Sequence, residues 1–197
     1  FVFSYSLPKY SVGIDPGSIT YEDLRLLDDY LSYTYLKILL GLNTHLHLDH
    51  CFGDNYVRDK YGVKVAANVG DAPLGADLGA QIRRFGGRGA MDGVTIDVPL
   101  KDGDIIKIGS GELKVIETPG HSKGGICLYC ETGKFLISGD TLFRGGVGRT
   151  DLEGGDARQL TDSIRTKLFT LPDDTAVLPG HDRFTTIGDE RRSNPYV

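Results

Sequence analysis

All five histidines of this 197-residue chain fall within three short segments. In chain order they are His45, His47, His50, His121 and His181. Each segment follows an apolar run that is typical of a buried strand. The second and third segments each begin with a Pro-Gly pair, which turns the chain sharply at the end of a strand. Histidines gathered at successive strand ends predict a metal site, because isolated surface histidines would be scattered along the chain.

The spacing within the first segment predicts two metal ions. The apolar run from Lys37 to Thr44 reads as a buried strand that carries the motif at its C-terminal end. Side chains two apart in an extended segment face the same way, so His45 and His47 can reach one cation together. Asp49 and His50 lie where the chain turns into the next helix, and they can reach a second cation.

A further ligand is predicted at Asp140, just past the strand predicted from Lys134 to Ser138. A carboxylate in that position can bridge two cations. Imidazole nitrogens and carboxylate oxygens without thiolates suit zinc in a catalytic site, and they also suit iron or manganese. The donor types leave the choice of metal open.

Taken in order, these motifs resemble those of the metallo-β-lactamase superfamily. The motifs are His-x-His-x-Asp-His, a lone histidine after Thr-Pro-Gly, Gly-Asp-Thr-Leu-Phe, and Pro-Gly-His. The segment Gly148-Arg149-Thr150-Asp151 further resembles the glyoxalase II-like hydrolases and their relatives, the persulfide dioxygenases. The resemblance covers nearly the whole chain and implies an α/β fold, the four-layer αβ/βα sandwich of that superfamily.

The resemblance also implies a set of metal ligands. One metal would be held by His45, His47 and His121, the other by Asp49, His50 and His181, and Asp140 would bridge them. Asp15 resembles an aspartate that accepts the outer ring N–H of a ligand histidine in that family, which would fix the tautomer of the ring. The alternative is a turn-forming Asp-Pro-Gly without any metal role.

The implied chemistry is hydrolysis by a water bound to two divalent cations, most often zinc. Ligation lowers the pKa of water from about 15.7 towards about 7, so hydroxide forms at neutral pH without a separate base. Asp49 and Asp140 are the candidate catalytic residues, because they can steer its proton. Outside the ligands there is no obvious acid to protonate a leaving amine, whereas a thiolate, with a free pKa near 8.5, hardly needs one. This inventory favours thioesters such as S-hydroxyacylglutathione.

Three arginines are candidates for binding the substrate. In glyoxalase II-like enzymes a basic residue after the Asp-Thr-Leu-Phe segment contacts the glutathione carboxylate, and Arg149 occupies the similar place, where its planar fork suits a carboxylate. The alternative is an arginine paired with Asp151. Arg191 and Arg192 either take over contacts that a longer C-terminal segment makes in those enzymes, or form the charged face of a terminal helix.

Other functions of the same superfamily remain open. A persulfide dioxygenase would hold a single iron at His45, His47 and either Asp140 or His121, with open positions for oxygen and a persulfide. A lactonase-type hydrolase is a further alternative. A β-lactamase is disfavoured, because Asp140 stands where most of those enzymes carry a cysteine ligand. A metal-stabilised binding protein is disfavoured too, because a fold with an adequate hydrophobic core does not need catalytic-type metal ligands for its stability.

The composition predicts a single compact domain spanning residues 1–197, since 40% of the residues are hydrophobic and 25% are charged. A net charge of −5 argues against nucleic acid as a partner. No apolar run is long enough to cross a bilayer, so no membrane partner is expected. The three cysteines form no disulfide framework and favour a reducing, cytoplasmic setting. The expected partner is a small-molecule substrate, and the oligomeric state is not predicted.

Hydrophobic patterns predict the remaining elements. We predict an opening hairpin of Phe1 to Leu7 with Val12 to Ile14, one helix from about Asp49 to Tyr61, and later helices at Asp156 to Phe169 and Thr185 to Arg192. The Gly-rich stretch through Gly93 is harder to interpret. Its arginines, Arg83, Arg84 and Arg88, belong either to a lid over an anionic substrate or to a solvated loop.

Overall fold

In the computed structural model, which describes residues 1–5, 9–17 and 20–197, the chain divides into two compact units. The first comprises Phe1–Pro99 and Lys107–Gly111, and the second Leu100–Ile106 and Glu112–Val197. Both units combine β-sheet with α-helices, so the predicted α/β class is confirmed.

The first sheet has five strands in the order β1-β2-β3-β4-β5. These strands are β1 (Val2–Tyr5), β2 (Tyr10–Ile14), β3 (Lys37–Leu42), β4 (Lys64–Asn68) and β5 (Val98–Leu100). β1 and β2 form the predicted antiparallel hairpin, and residues 6 and 7 of its predicted first strand lie outside the described residues. β2, β3 and β4 pair in parallel, so the carboxyl ends of these strands lie at one edge of the sheet.

The described residues of the first unit form the α-helices α1 (Tyr21–Thr34), α2 (Leu48–Cys51), α3 (Asp54–Tyr61), α4 (Ala72–Ala76) and α5 (Leu78–Arg84). Leu31 of α1 and Val57 of α3 pack with Ile38 of β3 in one buried cluster. A second cluster brings Leu46 together with Leu78 of α5. The second cluster forms an apolar support beneath the segment that carries the first three histidines.

The prediction of one continuous helix from Asp49 to Tyr61 is wrong, because the helix is interrupted at Phe52 and Gly53. The backbone N–H of Gly53 donates to the carbonyl oxygen of Pro16 at 2.6 Å. A Cβ at position 53 would lie 2.5 Å from that same oxygen. The chain near Pro16 therefore approaches so closely that only glycine fits, and the local hydrogen bonds of a continuous helix give way to this contact.

The Gly-rich stretch contains more structure than its composition suggests. It holds α4 and α5, followed by an irregular segment over residues 85–97. Arg83 is in the last turn of α5, with Nη2 3.7 Å from Oδ1 of Asp77. Whether this stretch acts as a lid or only as a solvated loop stays a prediction.

The second sheet has six strands in the order β13-β12-β9-β8-β7-β6. In chain order they are β6 (Ile105–Ile108), β7 (Gly111–Glu117), β8 (Ile126–Cys130), β9 (Phe135–Gly139), β12 (Ala176–Pro179) and β13 (Thr185–Thr186). The short strands β10 (Leu142–Phe143) and β11 (Gly146–Val147) pair separately. β8 is antiparallel to β7 and β9, whereas β12 lies parallel to β9.

Helices α6 (Ala157–Thr166) and α7 (Ile187–Ser193) belong to the second unit. α6 begins at the N-cap Asp156, whose side chain accepts from the N–H of Gln159, and it ends before the predicted Phe169, which lies in a separate 3₁₀ turn. α7 starts two residues later than predicted, because Thr185 and Thr186 pair with β12 instead. Leu160 and Ile164 of α6 anchor the buried core of this unit.

The three cysteines are buried and free, in agreement with the absence of a disulfide framework in the sequence. Cys127 and Cys130 lie in β8, and burial raises the pKa of the Cys127 thiol to about 11. Burial also raises the pKa of Cys51, which packs beside Leu46. Cys51 is therefore a packing residue.

None of the helices formed by the described residues combines the length and the apolar composition needed to span a bilayer.

Candidate metal-binding residues

The first histidine segment lies directly after β3 and is buried, with His45, His47 and His50 exposing 3%, 7% and 3% of their surface. The ring centroids of His45 and His47 lie 4.8 Å apart, and those of His45 and His50 lie 4.0 Å apart. In both pairs a ligand nitrogen of one ring lies within 4.8 Å of a ligand nitrogen of the other. The structure thus brings together His45 and His47, which the spacing predicted to reach one cation, and it also places His50, which the spacing assigned to a second cation, close to His45.

Asp15 holds this segment from the end of β2. Its Oδ1 accepts from the backbone N–H of Thr44 at 2.7 Å, and its Oδ2 lies 2.7 Å from Oγ1 of Thr44 and 3.0 Å from Nδ1 of His50. The backbone of Asp15 is in the left-handed region, with φ of +49°, which is uncommon outside glycine. The predicted contact of Asp15 with a candidate ligand histidine is therefore present, and the turn around Asp15 directs the carboxylate towards His50.

These contacts fix the tautomers of two rings. Because a carboxylate only accepts, Nδ1 of His50 carries the proton that Asp15 binds. The hydroxyl of Thr44 donates to Asp15, so it accepts the proton on Nδ1 of His45, which lies 3.1 Å away. In both histidines the Nε2 lone pair is therefore the one available to ligate a metal.

Asp49 is the second residue of the short helix α2 and is half exposed, with Oδ2 3.9 Å from Nε2 of His50. Gly17 lies against its backbone: a Cβ at position 17 would overlap the carbonyl group of Asp49. The turn after β2 therefore needs glycine in order to pass beneath the ligand segment.

Two further residues hold the same segment, and sequence reasoning missed both. Oδ2 of Asp71 accepts from the N–H of Leu46 at 3.1 Å, and Oε1 of Gln81 accepts from the N–H of Leu48 at 2.9 Å. Nε2 of Gln81 donates to the carbonyl of Leu46 at 2.9 Å. These residues are 25 and 35 positions from Leu46, and contacts of that range leave no periodic signal in the sequence.

In the second unit the candidate ligands follow three different strands. His121 comes after β7, Asp140 after β9 and His181 after β12. Oδ2 of Asp140 lies 3.6 Å from Nε2 of His121 and 3.6 Å from Nε2 of His181. One carboxylate oxygen therefore faces both imidazoles, which is the arrangement expected of a bridging carboxylate.

His121 is oriented by a backbone carbonyl. Its Nδ1 donates to the carbonyl oxygen of Arg149 at 2.7 Å, so Nε2 keeps its lone pair on the side of Asp140. A Cβ at Gly148 would overlap the carbonyl oxygen of Asp140 and lie 2.9 Å from Nδ1 of His121. Gly148 is thus required by the close approach of both ligand residues.

His181 is more open, with 54% of its side chain exposed. The N–H of Gly180 donates to the carbonyl of Gly139 at 2.9 Å, which fixes the end of β12 beside the end of β9. Asp182, the next residue, has a left-handed φ of +73° that turns the chain away. This pairing explains why Asp140 and His181 meet although they are distant in sequence.

The three candidate substrate arginines already have partners. Nε and Nη2 of Arg149 both bind the Asp151 carboxylate at 2.7 Å, with 55% of the arginine side chain exposed. Arg191 binds Asp173 and the carbonyl of Leu171, and Arg192 binds Asp189. Arg149 is the one whose own backbone carbonyl holds a candidate ligand.

The donor sets of both units fit divalent cations. Each set consists of imidazole nitrogens and carboxylate oxygens, and in the neutral rings of His45, His50 and His121 these hydrogen bonds place the lone pair on Nε2, where it can ligate a cation. Closely packed imidazoles would repel one another if they were protonated, whereas a bound cation stabilises the neutral form.

Residues 14–181 match the profile of the metallo-beta-lactamase superfamily. The chain belongs to that superfamily. Its members are mostly metal-dependent hydrolases, which accords with the His and Asp donors described above. The chain is 36% identical over 194 residues to a hydroxyacylglutathione hydrolase, GloC, of Haemophilus influenzae, an alignment that covers 96% of this chain and 88% of GloC.

Solved structures of superfamily members show the same fold. The BLEG-1 B3 metallo-beta-lactamase matches 99% of this chain and 91% of its own, with a TM-score of 0.89 and 34% identity. TTHA1623 in a di-iron-bound form matches 100% of this chain and 94% of its own, with a TM-score of 0.85 and 33% identity. ETHE1 from Myxococcus xanthus matches 98% of this chain and 76% of its own, with a TM-score of 0.80 and 30% identity. The similar proteins thus bear several functional names, so superfamily membership leaves both the reaction and the metal open.

Proposed function

We propose that this protein is a dinuclear metal-dependent hydrolase of thioesters, with S-hydroxyacylglutathione as the representative substrate. We assign the metals to the sets predicted from the motifs: His45, His47 and His121 for one, Asp49, His50 and His181 for the other, with Asp140 bridging. The observation that carries the assignment of substrate class is the 36% identity to GloC across nearly the whole chain.

When bound, the two cations, most often zinc in such donor sets, supply hydroxide at neutral pH and polarise the acyl oxygen. The residues of the chain do the rest. Asp15, Thr44 and the Arg149 carbonyl hold the imidazoles in one tautomer, so the ligand nitrogens need no rearrangement. Asp49, which is half exposed, holds the proton released at the site, and Asp140 orients the nucleophile between His121 and His181.

The leaving group explains why a thioester suits this site. Breaking an amide requires protonation of the departing nitrogen, whereas a thiolate leaves as the anion. The candidate ligands are the acidic and basic groups that the described contacts bring together here. A substrate whose leaving group needs no acid fits such a site best.

Arg149 is the proposed anchor for a carboxylate on the thiol part of the substrate. Its fork already binds the Asp151 carboxylate in a bidentate manner, which shows that it is shaped for this group. A substrate carboxylate would displace Asp151 or bind the opposite edge of the guanidinium. Arg191 and Arg192 would have to leave Asp173 and Asp189, so we assign them a secondary role in substrate binding.

A persulfide dioxygenase with a single iron is the second candidate, favoured by the likeness to ETHE1. The Gly148-Arg149-Thr150-Asp151 segment, on which the first proposal also draws, resembles the persulfide dioxygenases as well. The two candidates differ in the number and kind of metal ions and in the need for oxygen.

The test pairs metal analysis with substrate assays on one preparation. S-lactoylglutathione hydrolysis with about two divalent metals per chain is the expected result. A chromogenic β-lactam and the same acyl group on an uncharged thiol serve as comparison substrates, and both should turn over slowly. About one iron per chain, no thioester hydrolysis and persulfide-dependent oxygen uptake would replace the proposal with the dioxygenase.

A further inference from the structure

Among the described residues, no strand pairs with the backbone on either side of His47. The parallel pairing of β3 with β4 ends at Leu42 opposite Ala66, and the last ladder bond runs from the N–H of Asn43 to the carbonyl of Ala66. Residues 43–47 are nevertheless buried. Buried backbone N–H and C=O groups need partners, so another element must supply them here.

The side chain of Gln81 supplies two of these partners. Its Nε2 donates to the carbonyl of Leu46 at 2.9 Å, and its Oε1 accepts from the N–H of Leu48 at 2.9 Å. These two groups flank His47. A residue of a neighbouring parallel strand would bind the same two groups through its own N–H and C=O. The Gln81 carboxamide therefore takes the place of one residue of a parallel strand opposite His47.

Gln81 is itself held rigidly. It is 8% exposed, its Nε2 also donates to the carbonyl of Leu74 at 3.0 Å, and α5 packs through Leu78 against the cluster that includes Leu46. From the other side, Oδ2 of Asp71 accepts from the N–H of Leu46. Both backbone polar groups of Leu46 are thus bound by side chains from outside the histidine segment.

We propose that Gln81 is a positioning residue that holds the backbone on both sides of His47. The His47 imidazole is then in position to ligate a metal before the metal binds. The inference rests on the proposed metal centre, in which His47 is a ligand. Preorganisation of this kind slows metal release, because a ligand held by its backbone does not swing away when one bond to the metal breaks.

The test measures zinc release in the absence of substrate. Wild type, Gln81→Met and Asn55→Leu are loaded with zinc, and release to an excess of a chromogenic chelator is followed. Asn55 is the matched control: its Nδ2 donates to the carbonyls of Asp92 and Gly93 at 3.3 Å, so it ties a neighbouring part of the same unit without contacting the histidine segment. Thermal unfolding of each metal-free variant measures how far the substitution lowers the stability of the fold.

We expect Gln81→Met to release zinc about 10- to 100-fold faster than wild type, and Asn55→Leu to release it at the wild-type rate, although both lower the unfolding temperature of the metal-free protein. Release from Gln81→Met at the wild-type rate would overturn the proposal. Equal acceleration in Asn55→Leu would overturn it as well, since general loosening would then be the cause.

A second variant covers the case in which Gln81→Met does not fold. Gln81→Glu keeps the acceptor for the N–H of Leu48 and loses both donors, so it too should release zinc faster than Asn55→Leu. Thioester hydrolysis is assayed separately on the wild type. Zinc binding without hydrolysis would defeat the proposed function and leave the role of Gln81 intact, whereas a wild type that takes up no zinc would defeat both.

Discussion

The two units present their candidate ligands in different ways. In the first unit His45, His47, Asp49 and His50 come from one segment of six residues, and side chains from elsewhere hold that segment. In the second unit the ligands follow three separate strands, and strand register brings them together. The first arrangement should therefore fail when a supporting hydrogen bond is lost, and the second when a strand end or a close glycine is changed.

The largest effect on activity is expected from removing the Asp140 carboxylate of the second unit. Asp140→Ala removes the oxygen that faces both His121 and His181. We expect kcat to fall about 10³-fold, equivalent to about 4 kcal/mol of lost transition-state stabilisation. Steady-state kinetics on the thioester measure it. A variant with near wild-type kcat would show that Asp140 does not bridge.

A substitution at Gly148 tests whether the candidate ligands of the second unit depend on close backbone packing. Gly148→Ala places a methyl group against the Asp140 carbonyl and the His121 ring, so we expect metal affinity to drop by about 10- to 100-fold. Gly146→Ala is the matched control, because a Cβ there meets only Phe143 atoms at 3.7 Å and 4.0 Å. Competitive titration with a chelator measures both. Equal affinities in the two variants would contradict the account.

Asp15→Asn tests the support of the first unit. An amide cannot accept from the N–H of Thr44 on one side and from both Thr44 and His50 on the other, so one ring loses its orientation. We expect metal affinity to fall by about 10-fold or more.

Asp28→Asn is the control for this experiment. The Asp28 carboxylate accepts from Tyr56, Tyr61 and Lys60 and ties α1 to α3 without touching the histidines. It should lower stability and leave metal affinity unchanged. If both variants bind metal as tightly as wild type, the orienting role of Asp15 is wrong.

Arg149 links the two functions proposed for its segment, since its carbonyl orients His121 and its side chain lies exposed. Arg149→Ala keeps the carbonyl, so kcat should stay within about two-fold while KM for an acidic thioester rises several-fold. Its exposed pair with Asp151 contributes little to stability, so the unfolding temperature should hardly change. An unchanged KM on every acidic thioester would remove Arg149 from the substrate site.

The smallest effect concerns a buried acid of the first unit. Burial, and then the negative charge of Asp15, raise the pKa of Asp54 well above its usual range, and the nearby Asn43 side chain offsets this only in part. At Asp54 the folded state therefore binds a proton more readily than the unfolded state, so the contribution of this group to stability falls as pH rises above about 4. Asp54→Asn should stabilise the protein at pH 7 by about 1 kcal/mol or more and should give no gain near pH 3.

Chemical denaturation at the two pH values checks this prediction, with Asp59→Asn, an exposed change on the same helix, as the control. A destabilised Asp54→Asn at pH 7 would indicate that the ionised carboxyl is stabilised by its surroundings.

The ligand pattern could be predicted from the sequence because it obeys local rules. The spacing of two in His45 and His47, and the Pro-Gly turns before His121 and His181, act within a few residues. The sequence identified Asp15 as a candidate histidine partner but left open whether it only forms a turn, since its partner His50 lies 35 residues away. The break at Gly53 escaped prediction because its cause is the carbonyl of Pro16, which only the folded chain brings near.

The supporting residues escaped prediction for the same physical reason. Gln81 and Asp71 bind backbone groups, and a backbone group carries no residue type that a pattern could recognise. A carboxamide in a short helix reads as a solvent-facing polar residue until its burial is known. Pattern reasoning therefore finds the atoms that could bind a metal more readily than the atoms that hold them in place.

The proposed function requires two metal ions per chain, and metal stoichiometry tests it most directly. Elemental analysis of folded wild-type protein, after loading with zinc, iron or manganese and removal of excess metal, should give about two ions per chain for at least one of them. A folded protein that retains no metal under any of these conditions would contradict the account.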